Sequence, residues 1–381
     1  MKGQIMKPSG IGGQAVIEGV MMRNGGKYAV AVRTPEGEIS VDVQNCSSNR
    51  IQNNKIVKLP IIRGVVNFFD SMILGMKALM YSASLFAEET EEEKAEREGK
   101  ARKKAEAKAG KLRSQGKTAE AEAVLARCEE KLAKEAGTVS SEKDKKDDDL
   151  LMTVTVIFSL VFSIVLFMML PYFISRFLRQ VIASEMLILI VEGIVKLAIF
   201  FGYLALISRM KDIQRTFMYH GAEHKCINCI EHGLELNVEN VRKSSREHKR
   251  CGTSFLFIVM FISIVFIMVF SIPLFMLIHV NTSFWRIVLR LALLPLIAGV
   301  SYEFIRLAGK YDNPVINALS RPGMALQHMT TKEPDDSMIE VAIASVEAVF
   351  NWKKFENEQF GTDYEYETEL TDAEEKLHES A

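Results

Sequence analysis

The sequence predicts an α-helical multi-pass membrane protein of about four transmembrane helices, with a small β-containing module near its N-terminal end. Three observations carry that reading. Four apolar runs approach the ~20 residues needed to cross a bilayer core. Basic residues gather in the loops on one side of those runs. A short alternating stretch near the start has the period of paired strands. With 47 Lys and Arg against 48 Asp and Glu in 381 residues, the chain lacks the basic excess that would neutralise phosphates, so no nucleic-acid partner is expected. Charge is concentrated in residues 88–149 and after Asp363, whereas residues 150–307 hold long uncharged runs and most of the Met and Phe.

Residues 1–60 read as a glycine-punctuated cytoplasmic module. The opening Met1 to Gly13 has no apolar core, so no cleavable signal peptide is expected and the internal spans drive insertion. Residues 28–33 alternate weakly, Thr34-Pro-Glu-Gly37 is a turn, and residues 38–43 alternate cleanly, which together predict a hairpin. Residues 61–87 are apolar but interrupted by Arg63, Asp70 and Lys77, spaced seven apart and therefore on one helix face. An amphipathic helix on the membrane or on other helices suits them better than a span. Residues 88–149, rich in Ala, Glu and Lys, are expected to form two solvated helices and then a disordered linker over 140–149.

The spans are placed at 150–174, 186–207, 255–278 and 287–305, within a membrane domain of residues 150–308. The loop between the second and third, residues 209–253, carries nine Lys and Arg, against Arg176, Arg179 and Arg286 on the other side. The positive-inside rule therefore makes that loop cytoplasmic, and four spans put both termini there too, in a protein of the cytoplasmic membrane. Residues 309–352 form a cytoplasmic segment and 353–381 an acidic tail. Glu192 and Lys196, four apart in the second span, and Arg290 in the fourth are ionisable groups at membrane depth. They either fix helix packing or mark a transport path.

The chemistry is expected in the central loop, where residues 209–233 read as a helix continuing from the second span and ending at Gly233. His220-Gly-Ala-Glu-His224 places His220, Glu223 and His224 on one face, in the His-x-x-Glu-His order of inverted zinc hydrolases. A chance match in such a chain is on the order of one in a hundred, so the neighbours matter. Cys226-Ile-Asn-Cys229 follows at once and His248-Lys-Arg-Cys251 closes the loop. A cytoplasmic cluster of this kind points to a divalent metal, zinc by its donor set, rather than to disulfides. The two histidines are the first ligands, and the third is open among Glu303, His248 and Cys251, with Cys226 and Cys229 in the same thiol cluster. The alternatives are that Cys-x-x-Cys is ordinary buried packing and that His248, among Lys and Arg, belongs to a lipid-facing loop.

The motifs Gly12-Gly-Gln-Ala-Val-Ile-Glu-Gly-Val-Met-Met-Arg23, Tyr219-His-Gly-Ala-Glu-His-Lys225, His248-Lys-Arg-Cys-Gly-Thr-Ser-Phe255, Pro322-Gly-Met-Ala-Leu-Gln327 and Thr330-Thr-Lys-Glu-Pro334 are spread over most of the chain. On them the sequence resembles the YqhQ-like bacterial membrane proteins of domain-of-unknown-function family 1385. The resemblance leaves out residues 88–149 and the acidic tail, implies a metal-dependent enzyme and implies no substrate. It also draws attention to Gln14, Glu18, Arg23, Gln327 and Glu333, polar residues of segments that converge on the metal loop if all are cytoplasmic.

The leading expectation is a metal-dependent hydrolase at the cytoplasmic membrane face, acting on a peptide or membrane-protein substrate. His220 and His224 hold the metal and Glu223 is the general base. A non-enzymatic scaffold or assembly factor with a structural or redox-responsive His/Cys site is the alternative, and a transporter using Glu192, Lys196 and Arg290 is the third.

Overall fold

The computed structural model describes residues 6–46, 57–87, 142–178, 180–248, 250–278, 283–310 and 314–366, with scattered positions between 99 and 126. The fold is mostly helical, with a small N-terminal antiparallel sheet. Strands β1 (Gly12–Val16), β2 (Gly19–Asn24), β3 (Lys27–Arg33) and β4 (Ile39–Asn45) follow one another as a meander in the order β1-β2-β3-β4. The β3–β4 pair is the hairpin expected from alternation, with Arg33 opposite Ile39. β1 and β2 add a second hairpin in the glycine-rich stretch. Its turn, Ile17-Glu18, puts Glu18 at φ 51°, a left-handed conformation unusual for a side chain of this kind.

Helix α1 (Ile62–Ala87) meets one side of the sheet. Asp70 pairs with Arg23 at 2.9 Å, and Ser82 Oγ accepts a hydrogen bond from Ile17 N–H at 3.2 Å. At the other end of the helix Arg63 pairs with Glu303, and Asn67 donates to the Tyr302 hydroxyl at 2.8 Å. A Cβ on Gly64 would lie 2.8 Å from the Gly299 carbonyl oxygen, so glycine lets these backbones meet.

The chain divides into two compact units, residues 86–170 and the remainder. In the first, α2 (Glu142–Ile164) runs through a π-helical turn, Val165–Met169, towards α3 (Leu170–Leu178). The linker expected over 140–149 is therefore corrected over 142–149, which is helical. Extending an existing helix is cheap compared with nucleating one. The expected two-helix insert lies largely outside the described residues, and the acidic tail does so from residue 367.

Two stretches of helix, Thr153–Leu178 and Met186–Ile207, are long and apolar enough to cross a membrane. The second lies in α4 (Glu185–Ile207). At the third and fourth predicted spans stand α7 (Gly252–Ile278) and α8 (Ser283–Lys310), whose described residues include the shorter apolar stretches Leu256–Phe266 and Leu291–Phe304. The loop helix does not continue from α4. The chain leaves helical geometry at Met210, and α5 (Lys211–Glu231) starts afresh. Gln214 Nε2 donates to the Ser208 carbonyl at 3.0 Å, satisfying an end group of α4. α5 ends where expected, with Gly233 at φ 67°.

After α6 (Val238–Lys243) and the two apolar helices come α9 (Pro314–Thr330), α10 (Asp336–Glu347) and α11 (Trp352–Phe360). α10 closes the core. Its Met338, Ile339, Val341 and Val346 pack with Val20, Met22 and Ala31 of the sheet and with Tyr219, Ala222, Cys226 and Ile230 of α5. Burying such side chains contributes about 1.5–3 kcal/mol each. The result fixes α5 against β1 and β2, with His220 and His224 turned towards Arg246, Cys251 and Thr330.

Candidate metal centre

Helix α5 supplies His220, Glu223 and His224 from successive positions on one face, and the loop leading into α7 supplies Cys251. Ligand atoms of His220, His224 and Cys251 all lie within 4.8 Å of one another. His220 Nε2 is 3.2 Å from Cys251 Sγ, while its Nδ1 is 2.9 Å from the Thr330 carbonyl oxygen. His224 repeats the pattern, with Nδ1 2.6 Å from the Arg246 carbonyl oxygen. A carbonyl only accepts, so each Nδ1 carries a proton, and in the neutral imidazole each Nε2 offers a lone pair directed away from the carbonyls. Buried His224 Nε2 has no hydrogen-bond partner among the described residues.

The electrostatics follow from this crowding. Burial opposes a charge on His220, but the hydrogen bond and charge of Cys251 outweigh it and raise the imidazole to about 9. Burial likewise opposes a thiolate at Cys251, yet the His220 hydrogen bond and the charges of both histidines hold it well below the usual thiol range. A thiolate facing two imidazole nitrogens could hold a divalent cation. Two nitrogens and one sulfur match the ligand types that zinc prefers, and three protein ligands leave a position open. Glu223 is 4% exposed, and burial raises its carboxyl above the ordinary range, against the pull of His224 and His220. Its Oε2 lies 3.9 Å from His220 Nε2.

Two glycines create the space for this arrangement. A Cβ on Gly13 would sit 2.9 Å from Glu223 Cγ and 2.6 Å from the Met21 carbonyl oxygen. One on Gly221 would sit 2.0 Å from the carbonyl oxygen of Lys332, in the segment whose Thr330 carbonyl holds His220. The cluster opens on a cavity of about 880 Å³, whose walls include Gly10 to Ala15, Leu74, His220, Glu223, Cys251, Leu256 and Tyr302.

The other expected site residues separate from the trio. Cys226 and Cys229 are fully buried in the core on the opposite face of α5, and burial pushes both thiols up, Cys229 to about 12. His248 lies beside His224, with ring centroids 5.8 Å apart, but its Nε2 is 3.3 Å from Glu231 Oε2. Its backbone is clamped by Gln327, which accepts from His248 N–H at 2.9 Å and donates to the His248 carbonyl at 2.7 Å. Glu303 is taken by Arg63 and is not part of the cluster.

Glu18 pairs with Arg215 and stands 3.3 Å from the Tyr219 hydroxyl, so it braces α5 one turn before His220. Arg23 is held by Asp70, and the Gln14 side chain packs against α1 at Gly75. Glu333 pairs with Lys225 at 2.9 Å. Glu192 is 3.1 Å from Ser175 Oγ, and Lys196 donates to Ser263 Oγ at 2.8 Å, both away from the cluster. The side chain of Arg290 lies outside the described residues.

Sequence reasoning missed Glu231. It is fully buried, accepts hydrogen bonds from Ser9 N–H and hydroxyl at 2.8 Å, and pairs with Arg250. Despite burial, the His248 hydrogen bond and the Arg250 charge lower its carboxyl to about 2. Its place seven residues after His224, on the same helix face, was the available signal.

The family described as "Protein of unknown function (DUF1385)" matches residues 59–352. The "Uncharacterized protein YqhQ" of Bacillus subtilis (strain 168) is 31% identical over 343 residues, covering 89% of this chain and 91% of that protein. No solved structure matches the chain. The match across most of both chains establishes that this protein belongs to the DUF1385 family.

Proposed function

We propose that this protein is a metal-dependent hydrolase of the cytoplasmic membrane face, built on four spans with both termini in the cytoplasm. The observation that carries the reading is the convergence of His220 Nε2, the partnerless His224 Nε2 and Cys251 Sγ beside a buried carboxylate, at the wall of a cavity. His220, His224 and Cys251 would hold a divalent ion of the zinc type. When bound, such an ion acts as a Lewis acid and lowers the pKa of water toward neutrality. Cys251 thereby replaces Glu303 and His248 as the favoured third ligand.

The residues of the chain do the rest. The Thr330 and Arg246 carbonyls hold the imidazoles in one tautomer and orientation. Glu223 accepts a proton from water at a carboxylate oxygen as the water oxygen bonds to the substrate carbonyl carbon. It returns that proton to the leaving atom as the old bond breaks, and its burial suits a base poised closer to neutral pH. The segment entering α7 places the site where the chain approaches the proposed third span, which favours substrates at the membrane surface.

Metal analysis of full-length protein purified anaerobically tests this reading. His220→Ala, His224→Ala and Cys251→Ala should each lose the metal and the ability to complement a deletion strain. Glu223→Gln should keep the metal and lose complementation, because an amide cannot take the proton. A fully complementing Glu223→Gln variant would end the hydrolase reading. A structural site would show that silence at Glu223 together with loop unfolding on metal loss.

A further inference from the structure

β1 lies at the edge of the sheet, its outer side unpaired among the described residues, and Gly12 to Ala15 line the cavity that holds the cluster. The register fixes which of its groups are free. Across the two-residue turn Gly25-Gly26, Asn24 opposes Lys27, and two-residue hairpins close on a mutually hydrogen-bonded pair. The even-numbered residues of β2 therefore bond to β3, and Arg33 N–H donating to the Glu18 carbonyl at 2.9 Å continues the series. The odd-numbered residues Gly19, Met21 and Arg23 then bond to Val16, Gln14 and Gly12 of β1. That leaves the N–H and C=O of Gly13 and Ala15 pointing outward from the edge. Ile17, next in this alternation, already sends its N–H outward to Ser82 Oγ.

The surroundings of this edge suit an occupant. Gly12 and Gly13 are exposed, and a Cβ on Gly12 would meet nothing within 4 Å, so its lack of a side chain serves no packing inside the chain. Gly13, by contrast, touches Glu223. β1, from Gly12 to Val16, spans about 16 Å at ~3.3 Å per residue. The same cavity is lined by His220, Glu223 and Cys251, with Leu74, Leu256 and Tyr302 as apolar and aromatic wall.

We propose that an extended polypeptide segment is the substrate, bound as a fifth strand on β1 through the outward backbone groups of Gly13 and Ala15. Strand addition of this kind takes affinity from main-chain hydrogen bonds and uses side-chain pockets for selection. It brings one peptide carbonyl beside Glu223 at Gly13. The assignment of substrate class rests on the hydrolase reading above: water oxygen bonds to that carbonyl carbon, the C–N bond breaks, and Glu223 hands the water proton to the leaving amine. The mode of binding does not need the metal.

The test uses full-length Glu223→Gln protein in nanodiscs and a synthetic pool of random ten-residue peptides. Enriched peptides are resynthesised with single backbone N-methyl groups at each position in turn. A strand on the β1 edge alternates its N–H groups between β1 and solvent, so N-methylation should weaken binding at least about tenfold at positions of one parity. At the other parity it should change binding less than about twofold. No enrichment, or equal tolerance at both parities, would overturn the proposal. Alternation with no bound metal and no cleavage by the unsubstituted protein would leave the strand site standing and remove the hydrolase reading. Cleavage without alternation would do the reverse.

Discussion

Replacing Gly221 by Ala sets two effects of opposite sign against each other inside the His-x-x-Glu-His motif. Helix propensity alone predicts a gain, because Gly in a helix interior costs about 1 kcal/mol relative to Ala. The structure predicts a loss. The new methyl would stand 2.0 Å from the Lys332 carbonyl oxygen, a backbone atom, and relief to ordinary contact requires the two segments to part by more than 1 Å. Forced overpacking costs about 1–3 kcal/mol. Parting also strains the hydrogen bond from Lys332 N–H to the Phe217 carbonyl at 2.9 Å, worth about 1 kcal/mol. The net expectation is a destabilisation of about 1–3 kcal/mol. The same movement carries the Thr330 carbonyl away from His220 Nδ1, and loss of such an outer partner lowers metal affinity about 10–100-fold. Thermal unfolding of the purified protein and metal competition with a chelator read the two quantities separately. A variant that is more stable and binds metal as tightly would refute the close approach on which this site is built.

Cys226→Ala and Cys229→Ala should each destabilise the core by about 1–2 kcal/mol while leaving metal content unchanged, whereas Cys251→Ala should release the metal; metal analysis of the three variants decides. Glu356 has both carboxylate oxygens buried with no hydrogen-bond partner among the described residues, and burial, aided by the Glu235 charge, pushes it up to about 7. An acid whose folded pKa exceeds its unfolded value is stable while protonated, so stability falls as pH rises from about 4.5 to about 7, by about 3 kcal/mol in all. Glu356→Gln should therefore raise the unfolding temperature at pH 8 and leave it nearly unchanged at pH 4.5. For topology, cysteine labelling at Asn281 should report the extracytoplasmic side and labelling at Glu235 the cytoplasm, and a cytoplasmic result at Asn281 contradicts the four-span arrangement.

Much of the site was legible because α-helical periodicity is local. His220, Glu223 and His224 share a face by spacing alone, and Cys251 was named among the possible third ligands. The same periodicity, applied one step further, separates Cys226 and Cys229 from them. Ala222, Cys226, Cys229 and Ile230 recur at the spacing of an apolar stripe, and the structure buries that stripe against the sheet and α10. Reading Cys-x-x-Cys as a motif obscured its place in a pattern. The stripe of Met338, Val341, Ala342 and Val346 was equally available and marks α10 as a core helix. β1 and β2 were less visible, since glycine lowers strand propensity and their pairing depends on close contact with Glu223 and Val32. The carbonyls of Thr330 and Arg246, and the pairing of Arg63 with Glu303, join residues far apart in the chain. Nothing local in the sequence encodes them.

The positions of both ends of α1 have a mechanical consequence. Near its start, Gly64 lets the helix lie against Gly299 and Arg63 grips Glu303; near its end, Ser82 holds the N–H of Ile17. Between these anchors Ser71 and Leu74 form part of the cavity wall. A stiff rod pinned at two points transmits displacement along its length, so a tilt of α8 alters the gauge of the cleft by leverage, with no rearrangement of the ligating side chains. On the proposed four-span arrangement, bilayer thickness and tension, which act on apolar helices, would reach the cleft through this rod.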